Sequence, residues 1–183
     1  MPLNEARKQE MQQEIAADIE TFLKEHPGET FYAFGFDFNA SEAEILLCFN
    51  TEEAHAETLK EYKVGSEDDK RFYESSEQHA TELRFGMGEW KYQGTNVYYI
   101  CDEEEKEKIY DDDEDNDYEN AKKAFMDFAY DLLLAVCRTP AYQAIPKTDN
   151  FRVVLSEHDE HIVDDTVPRI DRLMADIAKY SSN

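Results

Sequence analysis

A chain of 183 residues with 41% hydrophobic and 13% aromatic residues can bury the core of one domain, which excludes an intrinsically disordered protein. Its 43 acidic and 19 basic residues give a formal net charge of -24, which excludes direct binding to nucleic acid or anionic membranes and favours basic partners or cations. The same charge also fits a protein whose acidity serves only its solubility.

The N-terminus and the cysteines indicate the compartment. The first residues, MPLNEARKQEMQQE, are too polar for a signal peptide, and no apolar run approaches the roughly 20 residues that span a bilayer. Cys48, Cys101 and Cys137 stand in apolar contexts without CxxC spacing, which predicts buried free thiols in a reducing compartment. We therefore expect a soluble cytoplasmic protein, and export without a leader stays open.

The start of the chain predicts a helix followed by a hairpin. Residues 4–26 carry an apolar stripe at helical spacing, formed by Met11, Ile15, Ile19 and Phe22. Residues 30–38 alternate as a strand does, and residues 44–49 are apolar on both faces. The short link between these two strands predicts an antiparallel hairpin.

The middle of the chain predicts two helices and a third strand around the single tryptophan. Asn50 is predicted to cap a helix that ends at Gly65, and Ser66 to cap the next helix. Trp90 stands among three glycines, a context typical of a packing lid over a sheet edge, with ligand stacking as the alternative. Residues 96–101 predict the third strand.

An acidic run follows the third strand. Residues 102–119 contain twelve acidic residues and two lysines, and the acidic core DDDEDND at residues 111–117 repels itself. We therefore predict a flexible acidic segment over residues 102–117, within a single domain spanning residues 1–183. An EF-hand is excluded because neither register of the run places glycine at the sixth position of the loop.

The remaining elements complete the predicted fold. Residues 118–138 carry the strongest helical apolar face, residues 150–155 predict a fourth strand, and Thr166 is predicted to cap a final helix. Strands and helices do not alternate regularly along the chain. We therefore expect α+β: a small, mostly antiparallel sheet packed with about five helices.

The sequence carries no signature of catalysis. It contains no GxSxG elbow, P-loop or GxGxxG motif, and its many carboxylates make any one pair uninformative. His158 and His161, in the stretch EHDEH, form the only local cluster of metal-capable side chains, whereas a zinc site needs three or four ligands. We expect no catalytic residue, metal or cofactor. A metal-dependent enzyme that uses His158 and His161 is the alternative.

Three stretches of the sequence, taken together in chain order, form a pattern that carries a family resemblance. They are TFYAFGFDF at residues 30–38, CFNTEEAH at residues 48–55 and LRFGMGEWKY at residues 83–92. This set resembles a bacterial domain-of-unknown-function family, the one numbered 4303, over most of the chain. The family has no agreed catalytic residues, so the resemblance implies no site. Proteins of this sort are similar in size and setting to immunity proteins encoded beside polymorphic toxins, which implies an inhibitor.

Charge and resemblance together predict a non-enzymatic protein that neutralises a basic protein partner, such as a toxin nuclease. Its acidic surface would imitate a phosphate backbone in the basic groove of that partner. The negative electrostatic field that attracts the partner is expected to come from Asp111, Asp112, Asp113, Glu114, Asp115 and Asp117. Trp90 and Tyr92 are expected to anchor the contact. An acidic regulatory or structural domain without a tight partner is a further alternative.

Overall fold

A four-stranded sheet with helices on both faces organises the chain. The computed structural model describes residues 5–65, 77–102, 104–106, 115–158 and 160–181, with the backbone alone at 115–118 and 181. The strands are β1 (Phe31–Asn39), β2 (Glu44–Thr51), β3 (Val97–Tyr99) and β4 (Lys147–Glu157). The α-helices are α1 (Glu5–Glu25), α2 (Glu52–Val64), α3 (Glu77–Phe85), α4 (Asp115–Val136), α5 (Pro140–Gln143) and α6 (Val167–Ser181). A π-helical turn, Ile162–Thr166, precedes α6.

The predicted α+β class is confirmed, and the sheet is mixed. Its strand order is β3-β2-β1-β4. β1 pairs antiparallel with β2, as the predicted hairpin requires, and β2 pairs antiparallel with β3. β4 pairs parallel with β1, because the chain returns to the sheet through α4 and α5 and not through a hairpin.

The sheet separates a larger core from a smaller one. The larger core lies on the face covered by α1, α4 and α5, and the smaller core lies on the face covered by α6 and the segment around Trp90. The alternation predicted for the first strand breaks at its start. A register shift between Phe31 and Ala33 puts Phe31 in the larger core with Phe34. A β-bulge has this effect because an extra residue changes the side on which the following side chains lie.

The starts of two helices differ from the sequence prediction. Thr51 caps α2 in place of Asn50, since the Thr51 Oγ1 accepts a hydrogen bond of 3.1 Å from the backbone N–H of Ala54. Asn50 is buried and binds other partners, described below. At the start of α6 the Thr166 hydroxyl donates to Oε1 of Glu160 at 2.6 Å, so this side chain holds a neighbouring loop.

The predicted helices have counterparts, and α5 adds one turn that the sequence did not predict. The helix predicted from Ser66 lies partly outside the described residues, and α3 is its described end. α4 begins at Asp115, so the end of the segment predicted to be flexible is helical. Residues 103 and 107–114 of that segment lie outside the described residues. No helix in the described part of the chain is long and apolar enough to cross a membrane.

Candidate functional site

One end of the sheet brings together acidic parts of the chain that are distant in sequence. Beyond β3, Lys106 binds Glu42 in the β1–β2 turn, with 2.9 Å between Nζ and Oε2. Near the start of α4, Lys122 binds Glu157 at the end of β4 at 3.1 Å. Because the ends of β1 and β4 are register partners, these contacts place the turn, the segment after β3 and the start of α4 at the same end.

The carboxylates at this end are exposed or half-buried. We call the acidic end the set formed by Glu42, Glu44, Asp102, Glu104, Glu105 and Glu119. Of the residues predicted to supply the field, Asp115 and Asp117 lie in the first turn of α4, at this end. Asp111, Asp112, Asp113 and Glu114 lie outside the described residues. The described chain stops at Lys106 and resumes at Asp115, and both of these residues lie at the acidic end.

Ion pairs do not cancel this charge. Carboxylates bind basic groups throughout the described surface, at Arg7, Lys8, Arg84, Lys106, Lys122, Arg169 and Lys179. Lys106 and Lys122 are thus paired although they lie at the acidic end. Since the chain has 43 acidic and only 19 basic residues, one-to-one pairing leaves carboxylates in large excess.

The two predicted aromatic anchors lie against the protein and not on an open surface. Trp90 is 4% exposed, and its Nε1 donates to the backbone carbonyl of Arg84 at 3.1 Å. Tyr92 is half-buried, with its ring 5.0 Å from that of Phe22 and its hydroxyl donating to Glu29 at 2.7 Å. Packing within the protein accounts for the position of the Trp90 side chain. An anchor for a partner requires an exposed ring, which Trp90 does not offer.

The three stretches that resemble the family meet in one polar cluster, which we define as Tyr32, Asn50, Glu52, His55, Arg84 and Trp90. The Tyr32 hydroxyl donates to the carbonyl of Arg84 at 2.8 Å and accepts from Nδ2 of Asn50 at 3.0 Å. The Arg84 guanidinium lies 4.0 Å from the centre of the Tyr32 ring. It also donates to both carboxylate oxygens of Glu52, at 2.6 and 3.1 Å. These contacts join the three stretches into one unit.

The centre of the polar cluster is uncharged. Burial raises the pKa of the Tyr32 phenol and lowers the pKa of His55, so both side chains are neutral near pH 7. His55 is 8% exposed, and its Nδ1 is the only buried side-chain polar atom of the described residues without a hydrogen-bond partner. At the rim, the hydrogen bonds from Arg84 lower the pKa of Glu52. This network fixes packing, and its six side chains include no activated nucleophile.

His158 and His161 are not brought onto one helical face. His158 follows β4, and its Nδ1 lies 3.5 Å from Oδ2 of the buried Asp37. His161 is exposed and immediately precedes the π-helical turn. Within the described ranges, no group of three or more histidine, cysteine, aspartate or glutamate side chains is placed to hold a metal ion.

Cys48 and Cys137 do not supply a reactive thiolate. All three cysteines are free, Cys48 and Cys137 are buried, and Cys101 is half-buried. Burial raises the pKa of Cys48 and of Cys137 to about 12, which leaves both thiols protonated and weakly nucleophilic at neutral pH. The prediction of buried free thiols is thus confirmed for two of the three.

Comparison with known proteins identifies one family. The model of the family described as "Domain of unknown function (DUF4303)" matches residues 11–173. This range contains the polar cluster, all four strands and the acidic end. No curated protein and no solved structure matches the chain significantly.

Proposed function

The chain belongs to the DUF4303 family, whose description assigns no activity, so we propose a function from the chemistry of the chain itself. We propose that it is a cytoplasmic binding protein that neutralises a basic protein partner, as an immunity protein neutralises its cognate toxin. In this proposal the chain acts by binding, without catalysis and without a metal or cofactor. A nuclease is the kind of toxin whose basic groove such a surface would fill.

The observation that carries this proposal is the acidic end. Carboxylates from the β1–β2 turn, from the segment after β3 and from α4 lie together there, although they are far apart in the sequence. In the sequence, the run from Asp111 to Asp117 adds six acidic residues, and the last two of them lie in the first turn of α4 at the same end. A field of one sign that is concentrated at one place steers an oppositely charged partner and raises its association rate.

The sign of the charge selects the class of partner. Nucleic acid and anionic lipid carry the same sign as the acidic end and are repelled. A protein groove that binds nucleic acid is lined by lysine and arginine along the path of the phosphates. Carboxylates spaced over a folded end can pair with those groups, so the acidic end competes for the same groove.

Two variants with the same change in charge test the proposal. The first carries Glu42→Gln, Glu44→Gln, Asp102→Asn, Glu104→Gln and Glu119→Gln, all at the acidic end. The matched control carries Glu20→Gln, Glu25→Gln, Glu53→Gln, Glu57→Gln and Glu61→Gln, all exposed on α1 and α2. A third variant replaces the six acidic residues at 111–115 and 117 by their amides and isolates the acidic run.

The partner is first captured on the immobilised protein from a native-host lysate, with a wash at about 0.15 M salt, where the Debye length is roughly 8 Å. Binding kinetics of the purified partner are then measured. We expect the association rate at low salt to fall about tenfold or more for the acidic-end variant and much less for the control. Equal losses in both variants, or no basic protein retained at stoichiometric yield, would contradict the proposal.

A further inference from the structure

Where β2 pairs with β3, one face of the sheet carries exposed side chains. The register sets Leu46 opposite Val97 and Glu44 opposite Tyr99. Residues that are directly opposite in a ladder point to the same side, so these four side chains share one face. Tyr98 points to the other side and is 6% exposed in the larger core. We call the open face the set formed by Glu44, Leu46, Val97 and Tyr99.

The open face exposes apolar side chains. Val97 is 44% exposed and Tyr99 is 53% exposed. Two other large apolar side chains of the described residues are as exposed, Val64 on α2 and Tyr180 on α6, and they lie on different helices. Val97 and Tyr99, in contrast, are neighbours on one strand and lie beside the half-buried Leu46. Grouped exposure of this kind marks interaction surfaces, whereas single exposed side chains are ordinary.

β3 is also an edge of the sheet. The strand order ends with β3, so its outer side has no neighbouring strand in the described structure. On that side the Tyr99 carbonyl accepts a hydrogen bond of 2.8 Å from Arg7, whose guanidinium is held by Glu10 at 2.8 Å. Edge strands accept further backbone partners, so a docking chain could bind the strand as well as its side chains.

Carboxylates of the acidic end lie next to these apolar side chains. Glu44 belongs both to the open face and to the acidic end, and Asp102 follows β3 by three residues. Glu42 and Glu104 of the acidic end are exposed as well. The open face is therefore an apolar patch that adjoins the acidic end, and we call these neighbouring carboxylates its acidic rim.

We infer that the basic partner docks on the open face, with Val97 and Tyr99 as the anchors in place of the buried Trp90. This inference rests on the proposed function, and it adds the position of the contact. An apolar centre inside a polar rim is the usual arrangement of a protein interface, with aromatic side chains contributing most of the affinity. Lysine or arginine around an apolar patch on the partner would complement the rim.

Charge argues against the other occupants. A second copy of the chain would bring two acidic rims together, and each copy carries a net charge of -24. An anionic membrane or a nucleic acid would meet the same repulsion. A basic protein gains from both parts of the surface, because its cations meet the rim while its apolar side chains cover Val97 and Tyr99.

A matched pair of double variants tests the inference. Val97→Ser with Tyr99→Ser removes the two anchors, and Val64→Ser with Tyr180→Ser removes the same two residue types from other exposed positions. Both variants keep the net charge. Circular dichroism and thermal unfolding verify that both remain folded. Each variant and the wild type are then immobilised and exposed to the same native-host lysate, and retained basic proteins are quantified.

We expect the V97S/Y99S variant to lose a basic protein at least tenfold, and the V64S/Y180S variant to retain it like the wild type. Equal retention by all three proteins would overturn the inference and leave the proposed function standing. Retention of no basic protein by any of them would overturn both. Self-association of the wild type that only V97S/Y99S abolishes would identify a second copy as the occupant and also overturn the inference.

A crosslinking experiment locates the contact without relying on affinity. A photoreactive benzophenone amino acid replaces Tyr99 in one protein and Tyr180 in another, and both are irradiated in the lysate. We expect a covalent adduct with the same basic protein from position 99 and none from position 180. Adducts of equal yield from both positions would contradict docking on the open face.

Discussion

Arg84 connects the other residues of the polar cluster through its guanidinium plane, its guanidinium nitrogens and its backbone carbonyl. Its guanidinium stacks on the ring of Tyr32, its nitrogens bind the carboxylate of Glu52, and its carbonyl accepts hydrogen bonds from Tyr32 and Trp90. The stack and the two parallel hydrogen bonds both require a planar guanidinium. A lysine has the same charge and can reproduce neither contact fully.

We therefore predict that Arg84→Lys lowers the free energy of unfolding by about 1 kcal/mol. Arg138→Lys is the control, because Arg138 also stacks on a tyrosine, with its guanidinium carbon 3.7 Å from the centre of the Tyr180 ring, but both residues are exposed. Urea unfolding followed by circular dichroism measures both variants. Equal effects of the two substitutions would show that neither the stack on Tyr32 nor the hydrogen bonds to Glu52 add stability beyond that of an exposed stack.

The sequence drew attention to the residues of the polar cluster, but it did not show that they contact one another. The three stretches of family resemblance contain all of these residues: Tyr32 in the first, residues 50–55 (NTEEAH) in the second, and Arg84 and Trp90 in the third. That resemblance was the one sign in the sequence that these residues belong together. Their meeting depends on β1 lying beside β2 and on the segment after α3 folding back over both, which are contacts between distant parts of the chain. Local pattern likewise could not separate Asn50 from Thr51 as the cap, because both side chains suit that position.

At the scale of elements, the pairing of β1 with β4 depends on a glycine. A Cβ atom built on Gly35 would overlap the carbonyl oxygen of Val154 in β4. The two nearest atoms belong to the backbone of β4, which is hydrogen-bonded to β1, so they cannot move aside as the end of a flexible side chain would. Gly35 thus permits the close approach of the two strands.

We predict that Gly35→Ala destabilises the protein by about 3 kcal/mol or more, because a methyl group is forced against backbone in a packed core. Gly88→Ala is the matched control, since a Cβ atom there meets no atom within 4 Å, and we expect a change within about 0.5 kcal/mol. Thermal and urea unfolding of the two variants measure the difference. A small effect of Gly35→Ala would mean that β1 and β4 separate easily.

The elements that the sequence predicted best are those with a strong local period. The stripe of α1, the hairpin of β1 and β2, and the apolar face of α4 were all identified, with small shifts at their ends. The parallel partner of β1 was not identified, because periodicity shows that a strand exists and not which strand it joins. For the same reason the sequence did not show that Val97 and Tyr99 lie at an edge.

At the scale of the whole molecule, the net charge opposes folding. A formal charge of -24 makes the compact chain repel itself, whereas surface ion pairs contribute little each. Salt weakens both interactions, but the excess of 43 acidic over 19 basic residues makes repulsion the larger of the two.

We predict that raising NaCl from about 0.02 M to about 0.5 M increases the free energy of unfolding by about 1 kcal/mol. The variant with five amides at the acidic end should show a smaller increase, because less repulsion remains to be screened. Urea unfolding at each salt concentration measures both proteins. A fall in stability with salt would mean that the ion pairs outweigh the repulsion.

The position of β1 in the sheet determines when its two neighbouring strands can pair with it during synthesis. β2 follows β1 directly, but the other partner of β1 is residues 147–157, near the end of the chain. Until that segment leaves the ribosome, the central strand, with Phe34, Phe36 and Phe38, has one edge unpaired. Nascent or truncated chains that end before β4 would therefore expose a phenylalanine-rich edge, which makes them candidates for chaperone binding and for aggregation.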